Sequence, residues 1–145
     1  VPDDGKLCAM AAIGPKKLLV LEQSDDGDAK MYRCELDEAT NVLDDAQDLD
    51  GIRNLSQVGV VPVKKTLVAD LANLLPSFAS YITAGQWQPE IGEKVAGLKL
   101  EGLAVLDDKH VVIVNDNDFN VDGLFDENEV ERRSCMWVLS LPQSL

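Results

Sequence analysis

Along the first third of the chain, apolar residues come in short runs broken by turn residues. The runs are 7–13 (LCAMAAI), 17–22 (KLLVLE) and 30–36 (KMYRCEL), separated by Gly14-Pro15 and by the cluster from Ser24 to Gly27. Runs of this length and composition read as strands, and the Gly-Pro and Asp-Gly steps read as hairpin turns, so a meander is predicted. The acidic segment 37–50 has the composition of a surface loop. Residues 61–69 (VPVKKTLVA) read as a fourth strand, with Pro62 near its start or on an exposed edge, because proline cannot donate to a ladder. Asp70 is placed to cap a short helix from Leu71, where Leu71, Leu74, Leu75 and Phe78 recur at helical spacing. Pro76 argues against that helix continuing to Ile82. Residues 83–95, with Gly85, Pro89 and Gly92, read as a loop in which Trp87 packs locally rather than stacking on a ligand.

The second half then repeats the first. Placing Leu18 on Val111, an offset of 93 (111 − 18), sets 18–21 on 111–114, Met10 on Leu103, Ala11 on Ala104, Ile13 on Leu106 and Asp25 on Asp118 without a gap. Residues 31–36 fall on 136–141 at an offset of 105 (136 − 31), so the second copy carries extra chain between its second and third strands. Self-similarity of this kind marks stacked supersecondary units. The predicted fold is mostly β: antiparallel four-stranded blades of a β-propeller, about two in number. Residues 1–70 form the first unit, 71–97 a helix or loop insertion, and 98–145 the second unit, whose fourth strand is missing where the chain stops. In the third strands, Tyr32, Cys34 and Leu36 share a face, as do Trp137, Leu139 and Leu141 at the equivalent positions, and both faces are expected to meet neighbouring blades. Two blades cannot close a ring of four to eight. The expectation is therefore a piece of one larger propeller, its remaining blades or other protein subunits being the partners.

The extra chain in the second unit has its own chemistry. From Asp118 it matches the calcium-loop pattern D-x-[DN]-x-[DN]-G-x5-E at Asp118, Asn120, Asp122, Gly123 and Glu129. Calcium takes six to eight oxygens, so short acidic and amide side chains alternate along a tight loop, glycine permits the turn, and a longer carboxylate closes the shell. Asp118, Asn120, Asp122 and Glu129 would give side-chain oxygens, Leu124 its carbonyl, and Asp126 a direct or water-bridged contact, with Asn115 and Asp116 as further candidates. The runs on either side, 110–114 (HVVIV) and 135–141 (CMWVLSL), read as strands and not helices. A strand–loop–strand Ca2+ site is predicted. Its bland alternative is a solvated acidic turn, for which Asp, Asn and Gly are ordinary residues.

Composition narrows the partners. A formal charge of −13 over 145 residues disfavours nucleic acid and anionic membranes, and 46% hydrophobic content disfavours disorder. No apolar run reaches the length of a membrane span, so no membrane insertion is expected. Cys8, Cys34 and Cys135 are odd in number, widely spaced and without a C-x-x-C, which points to buried free thiols. The only histidine, His110, has no Ser or Cys signature nearby, and there is no G-x-S-x-G, so a serine-hydrolase reading is disfavoured.

The run LEGLAVL at 100–106, a short turn, and then VVIVNDNDF at 111–119 resembles the phytase-like family, also called the esterase-like-activity-of-phytase family. Residues 10–22, 63–67 and 73–76 are similar to the segments that precede that pair there. One departure is Cys8, which stands where the second copy has Glu101. The resemblance implies a secreted, periplasmic or organelle-lumen calcium-dependent propeller with phosphomonoesterase or esterase activity. In the propeller reading Glu101, at the start of an inner strand, is the candidate catalytic carboxylate facing a central channel, with Glu22, Asn115 and Asp116 forming an acidic rim. Phosphate-ester hydrolysis would also need cations to stabilise charge. Those available are Lys16, Lys17, Lys64, Lys65, Arg132 and Arg133, for which a solvated surface role is the default. The alternative reading is a non-catalytic propeller acting as a structural or interaction subunit, and a third is a small calcium sensor, disfavoured by the lack of flanking helices.

Overall fold

A computed structural model of the chain describes residues 6–24, 29–43, 54–71, 100–116 and 135–145. They form seven strands in two antiparallel sheets. The first sheet holds β1 (Lys6–Gly14), β2 (Lys17–Gln23), β3 (Ala29–Glu35) and β4 (Lys64–Asp70), in that spatial order. The second holds β5 (Leu100–Val105), β6 (His110–Asn115) and β7 (Met136–Ser140), again in order. Neither sheet is closed, which is consistent with part of a propeller. Among the described residues no helix is long and apolar enough to cross a membrane.

Strand alternation assigns the faces. In the first sheet Ala9, Leu21, Met31 and Ala69 are paired across the four strands, and Ala11 is paired with Leu19 on the same side. In the second, Leu103, Ile113 and Trp137 are in register, as are Val105, Val111 and Leu139. These two faces meet. Leu19, Leu21, Ala29, Met31 and Leu71 join Leu100, Val111, Ile113, Trp137 and Leu141 in one buried cluster. Contact between the sheets runs chiefly from β1 to β5, with β2 also touching β5. The first edge strand of one sheet thus lies against the first edge strand of the other. A fully buried leucine or isoleucine contributes ~1.5–3 kcal/mol relative to exposure, so this shared layer is the main source of stability.

The repeat is visible in three dimensions. Both edge strands carry a register shift at the same place, between Leu7 and Ala9 in β1 and between Leu100 and Gly102 in β5. After β3 the amide of Leu36 donates to the carbonyl of Lys16 at 2.9 Å, and after β7 the amide of Leu141 donates to Lys109 at 2.7 Å. Those donors and acceptors are equivalent under the two offsets. The buried Trp137 and Leu141, with half-buried Leu139, take the face expected of them, and Cys34 is buried on its own sheet. All three cysteines are free.

Three local features differ from expectation. The fourth strand starts at Lys64 rather than at 61, so Pro62 lies just before it, and β4 is an edge strand where proline's missing donor matters least. β4 also runs one residue further than expected, to Asp70, the residue expected to cap the helix, and Leu71 after it is fully buried. Past Leu71, the expected helix and the Trp87 loop lie outside the described residues. The third feature is a 3-10 turn, Leu55–Val58, not anticipated because four residues leave no periodic signature. Asn54 accepts from the amide of Ser56, and Gly59 at φ 76° ends the turn in the left-handed region that glycine favours. The approach to β4 is tied back by Thr40, whose amide donates to Val61 and whose hydroxyl accepts from the Val61 amide.

Candidate functional site

The shifts in β1 and β5 are β-bulges, which place an unpaired residue on one strand and re-aim its side chain. Cys8 and Glu101 are those two residues, at equivalent positions on adjacent edge strands. Glu101 is exposed and Cys8 half-buried. Burial, chiefly, pushes the Cys8 thiol up, a hydrogen bond with the backbone of Gln23 opposes this, and the charges of Glu101 and Glu22 add to the rise. These groups therefore converge at one end of the stacked sheets. A thiol held up in this way is a poor nucleophile near neutral pH, so this end offers carboxylate and not cysteine chemistry.

Glu22 and Asn115 stand at equivalent positions near the ends of the second strands and are used differently. Glu22 accepts a charge-assisted hydrogen bond from Lys65, whose ammonium also lies 4.2 Å from the Tyr32 ring centroid. Asn115 turns inward along its own sheet: its side-chain oxygen accepts from the amide of Cys135, and its amide donates to the Cys135 carbonyl at 3.3 Å. Gln23, one residue past Glu22, reaches across the sheets, its side-chain oxygen accepting from the amide of Leu100 at 3.0 Å. Asp116 occupies the position equivalent to Gln23 at the end of β6.

The candidates Glu101, Glu22, Asn115 and Asp116 do share one end of the stack. Glu22 is engaged by Lys65, and the Asn115 side-chain oxygen by the amide of Cys135. Among the described residues no group of three or more His, Cys, Asp or Glu side chains is placed to hold a metal. The loop ligands Asp118, Asn120, Asp122, Leu124, Asp126 and Glu129 lie outside the described residues. Their flanks do not: β6 and β7 are antiparallel neighbours, and the Asn115–Cys135 clasp holds together the two ends of the chain that contains them. As a donor set those six positions are all oxygen, which suits calcium and not a thiophilic metal.

His110 sits at the other end of β6, about 16 Å from Asn115 at the strand rise per residue. Its Nδ1 lies 2.8 Å from a carboxylate oxygen of Asp107, and Asp107 Oδ1 also accepts from the amides of Lys109 and His110 at 2.8 Å each. Those bonds, the one from Lys109 first, hold the Asp107 carboxyl below its usual range. The pair builds the β5–β6 turn and is separated from Glu101 by the length of the strand. Of the candidate cations, Lys16 pairs with Asp37, Lys64 with Glu35 and Lys65 with Glu22, while Arg132 and Arg133 lie outside the described residues. Sequence reasoning missed the paired bulges and the Gln23 and Asn115 contacts. The alignment of Cys8 with Glu101 was the available signal, but it cannot show that either residue is unpaired.

A family model described as phytase-like, esterase-like activity of phytase, matches residues 2–119. The match takes in both edge strands, both bulges and β6, and stops at Phe119, so most of the calcium-loop positions lie beyond it. No curated protein and no solved structure matches significantly.

Proposed function

Since the chain belongs to the phytase-like family, we propose that it is a calcium-binding β-propeller portion of a phosphoric-ester or carboxylic-ester hydrolase, acting in a secreted, periplasmic or organelle-lumen setting. The family match over most of the chain is the observation that carries this reading. The remaining propeller blades or other protein subunits complete the structure, and Ca2+ is the expected ion. Bound calcium would neutralise an anionic ester and polarise its oxygen. Asp118, Asn120, Asp122, Leu124, Asp126 and Glu129 are the residues that would hold it. Glu101 is the candidate for proton transfer or water orientation, being exposed at a bulge at the strand end where the other carboxylates gather.

The complete protein, assayed on phosphate monoesters and p-nitrophenyl esters with and without chelator, tests the proposal. Hydrolysis lost on chelation and weakened by Glu101→Gln is expected. Absence of turnover under every condition would favour a non-catalytic propeller used as a structural or interaction subunit. One observation favours that second reading: the engagement of Glu22 and of the Asn115 oxygen in contacts within the protein. The ion is tested separately by calorimetric calcium titration of wild type, Asp118→Ala and Glu129→Gln. Equal binding and equal heat stability in all three would remove calcium from the proposal.

A further inference from the structure

Glu101 is the residue of β5 that the ladder to β6 leaves without a partner, since Leu100 is in register with Asn115 and Gly102 with Val114. An unpaired bulge residue takes its direction from the residues that flank it. Both flanks are pinned, and from different sides. Gly102 lies close against β6, where an added Cβ would stand 3.0 Å from the Val114 Cβ. Leu100 is fully buried, and its amide donates across the sheets to the side-chain oxygen of Gln23 at 3.0 Å. Gln23 is half-buried at the end of β2, in register with Lys6, and its backbone meets the Cys8 thiol, so this one residue borders both bulges.

We propose that Gln23 is a positioning residue for Glu101: by accepting from the Leu100 amide it fixes where β5 begins, and so holds the Glu101 carboxylate in place at the end of the stack. The inference rests on the role proposed above for Glu101. Glutamine suits the task because its side chain spans the gap between the sheets and brings an acceptor without adding charge to an end that already carries Glu22 and Glu101. Without that acceptor a part-buried amide is left unsatisfied, and the start of β5 shifts to find another. Cys8 reports the position of Glu101 without any turnover. Its thiol is raised chiefly by burial and further by the charges of Glu101 and Glu22, with the Gln23 backbone and Lys6 opposing. The pH profile of its alkylation therefore registers a displaced Glu101.

Gln23→Met, which keeps the length and removes the acceptor, and Gln23→Glu, which keeps both, test it in the complete protein, each alone and combined with Glu101→Gln. Alkylation is followed on the Cys8 peptide by mass spectrometry. Gln23→Met and Glu101→Gln are each expected to move the profile to lower pH, and together to move it no further than Glu101→Gln alone. On phosphate monoesters and p-nitrophenyl esters, Gln23→Met lowers kcat roughly ten- to hundredfold with KM unchanged, as a small misplacement does. Gln23→Glu stays near wild type, and Gln23→Met adds nothing to Glu101→Gln. A residue that only stabilised the fold would act additively with Glu101 in both cycles. Should Gln23→Met fail to fold by circular dichroism, Gln23→Asn, one methylene too short to reach the amide, takes its place. An unmoved Cys8 profile, or additivity in either cycle, would overturn the proposal and leave the hydrolase reading standing. Shifts that merge in a protein without turnover would remove the hydrolase and keep Gln23 as the residue that positions Glu101.

Discussion

The two sheets are copies of one plan that have diverged at three places. In the first, Ala9 lies opposite Leu21; in the second, Gly102 lies opposite Val114, and a Cβ on Gly102 would stand 3.0 Å from the Val114 Cβ. A β-branched partner takes up the space that a leucine, branched only at Cγ, leaves free. In the first, β2 turns into β3 within a few residues; in the second, Asn115 clasps Cys135 around a much longer connection. In the first, the leading hairpin turns through Lys16 at φ 56°, whereas in the second Asp107 organises the turn by side-chain hydrogen bonds. The sheet scaffold constrains the strand interiors, while strand ends and turns are free to take on different chemistry.

Substitutions at equivalent positions sharpen this contrast. The largest effect is expected at the shared layer: Leu100→Ala or Met31→Ala should cost ~2–5 kcal/mol in chemical unfolding, as buried large-to-small changes do. Their equivalents Leu7→Ala and Met136→Ala, measured in dilute monomer, should stay within ~0.5 kcal/mol. Equal costs at equivalent positions would mean that both faces are buried in solution. Next, Gly102→Ala should destabilise by ~1–3 kcal/mol because Val114 must shift to admit the methyl group, whereas Ala9→Gly should cost only ~0.5–1 kcal/mol. Thermal melts of the two would separate crowding from chain entropy.

A smaller change of opposite sign is expected at the first turn. Lys16→Gly should stabilise by up to ~1 kcal/mol, since a residue with a Cβ is strained in the left-handed region. Loss of stability there would show that the Lys16–Asp37 pair outweighs the strain. The smallest effect belongs to Asp107→Asn, which keeps an acceptor for the turn amides but removes the charge facing His110. Because the folded carboxyl is held below the usual aspartate range, its contribution is complete above that range and disappears as pH falls through the depressed pKa. The melting-temperature difference between wild type and Asp107→Asn should therefore be present near neutrality and vanish in strong acid. A difference that persists in acid would place its origin in the turn geometry and not in the charge.

Much of the architecture was legible because it is local. Short apolar runs, Gly-Pro and Asp-Gly steps, and the gapless match of 18–21 to 111–114 located strands, turns and the repeat, and the strands found lie within a few residues of those positions. Pro62 misled by extending a run that pairs only from Lys64, since side-chain pattern does not report where ladder hydrogen bonds begin. Of the candidate site, Glu101 and the ends of the second strands lie at one end of the stack, and the engagement of Glu22 was not visible in the sequence. Its partner Lys65 lies on β4, opposite Cys34 rather than Glu22, and reaches Glu22 over the ring of Tyr32 on the strand between, a contact that no local motif encodes.

What the chain determines by itself is periodicity: which residues alternate, where the chain must turn, and that one unit is written twice. Alternation distinguishes two faces of a strand but cannot choose between them when both are apolar, as in the four residues 111–114. Only packing of the sheets buried Val111 and Ile113 and left Val112 and Val114 on the open side, because burial depends on which neighbouring surface is present to exclude water. The same packing set Cys8 beside Glu101 and carried Gln23 to Leu100, contacts between residues whose proximity exists only once the two sheets have met.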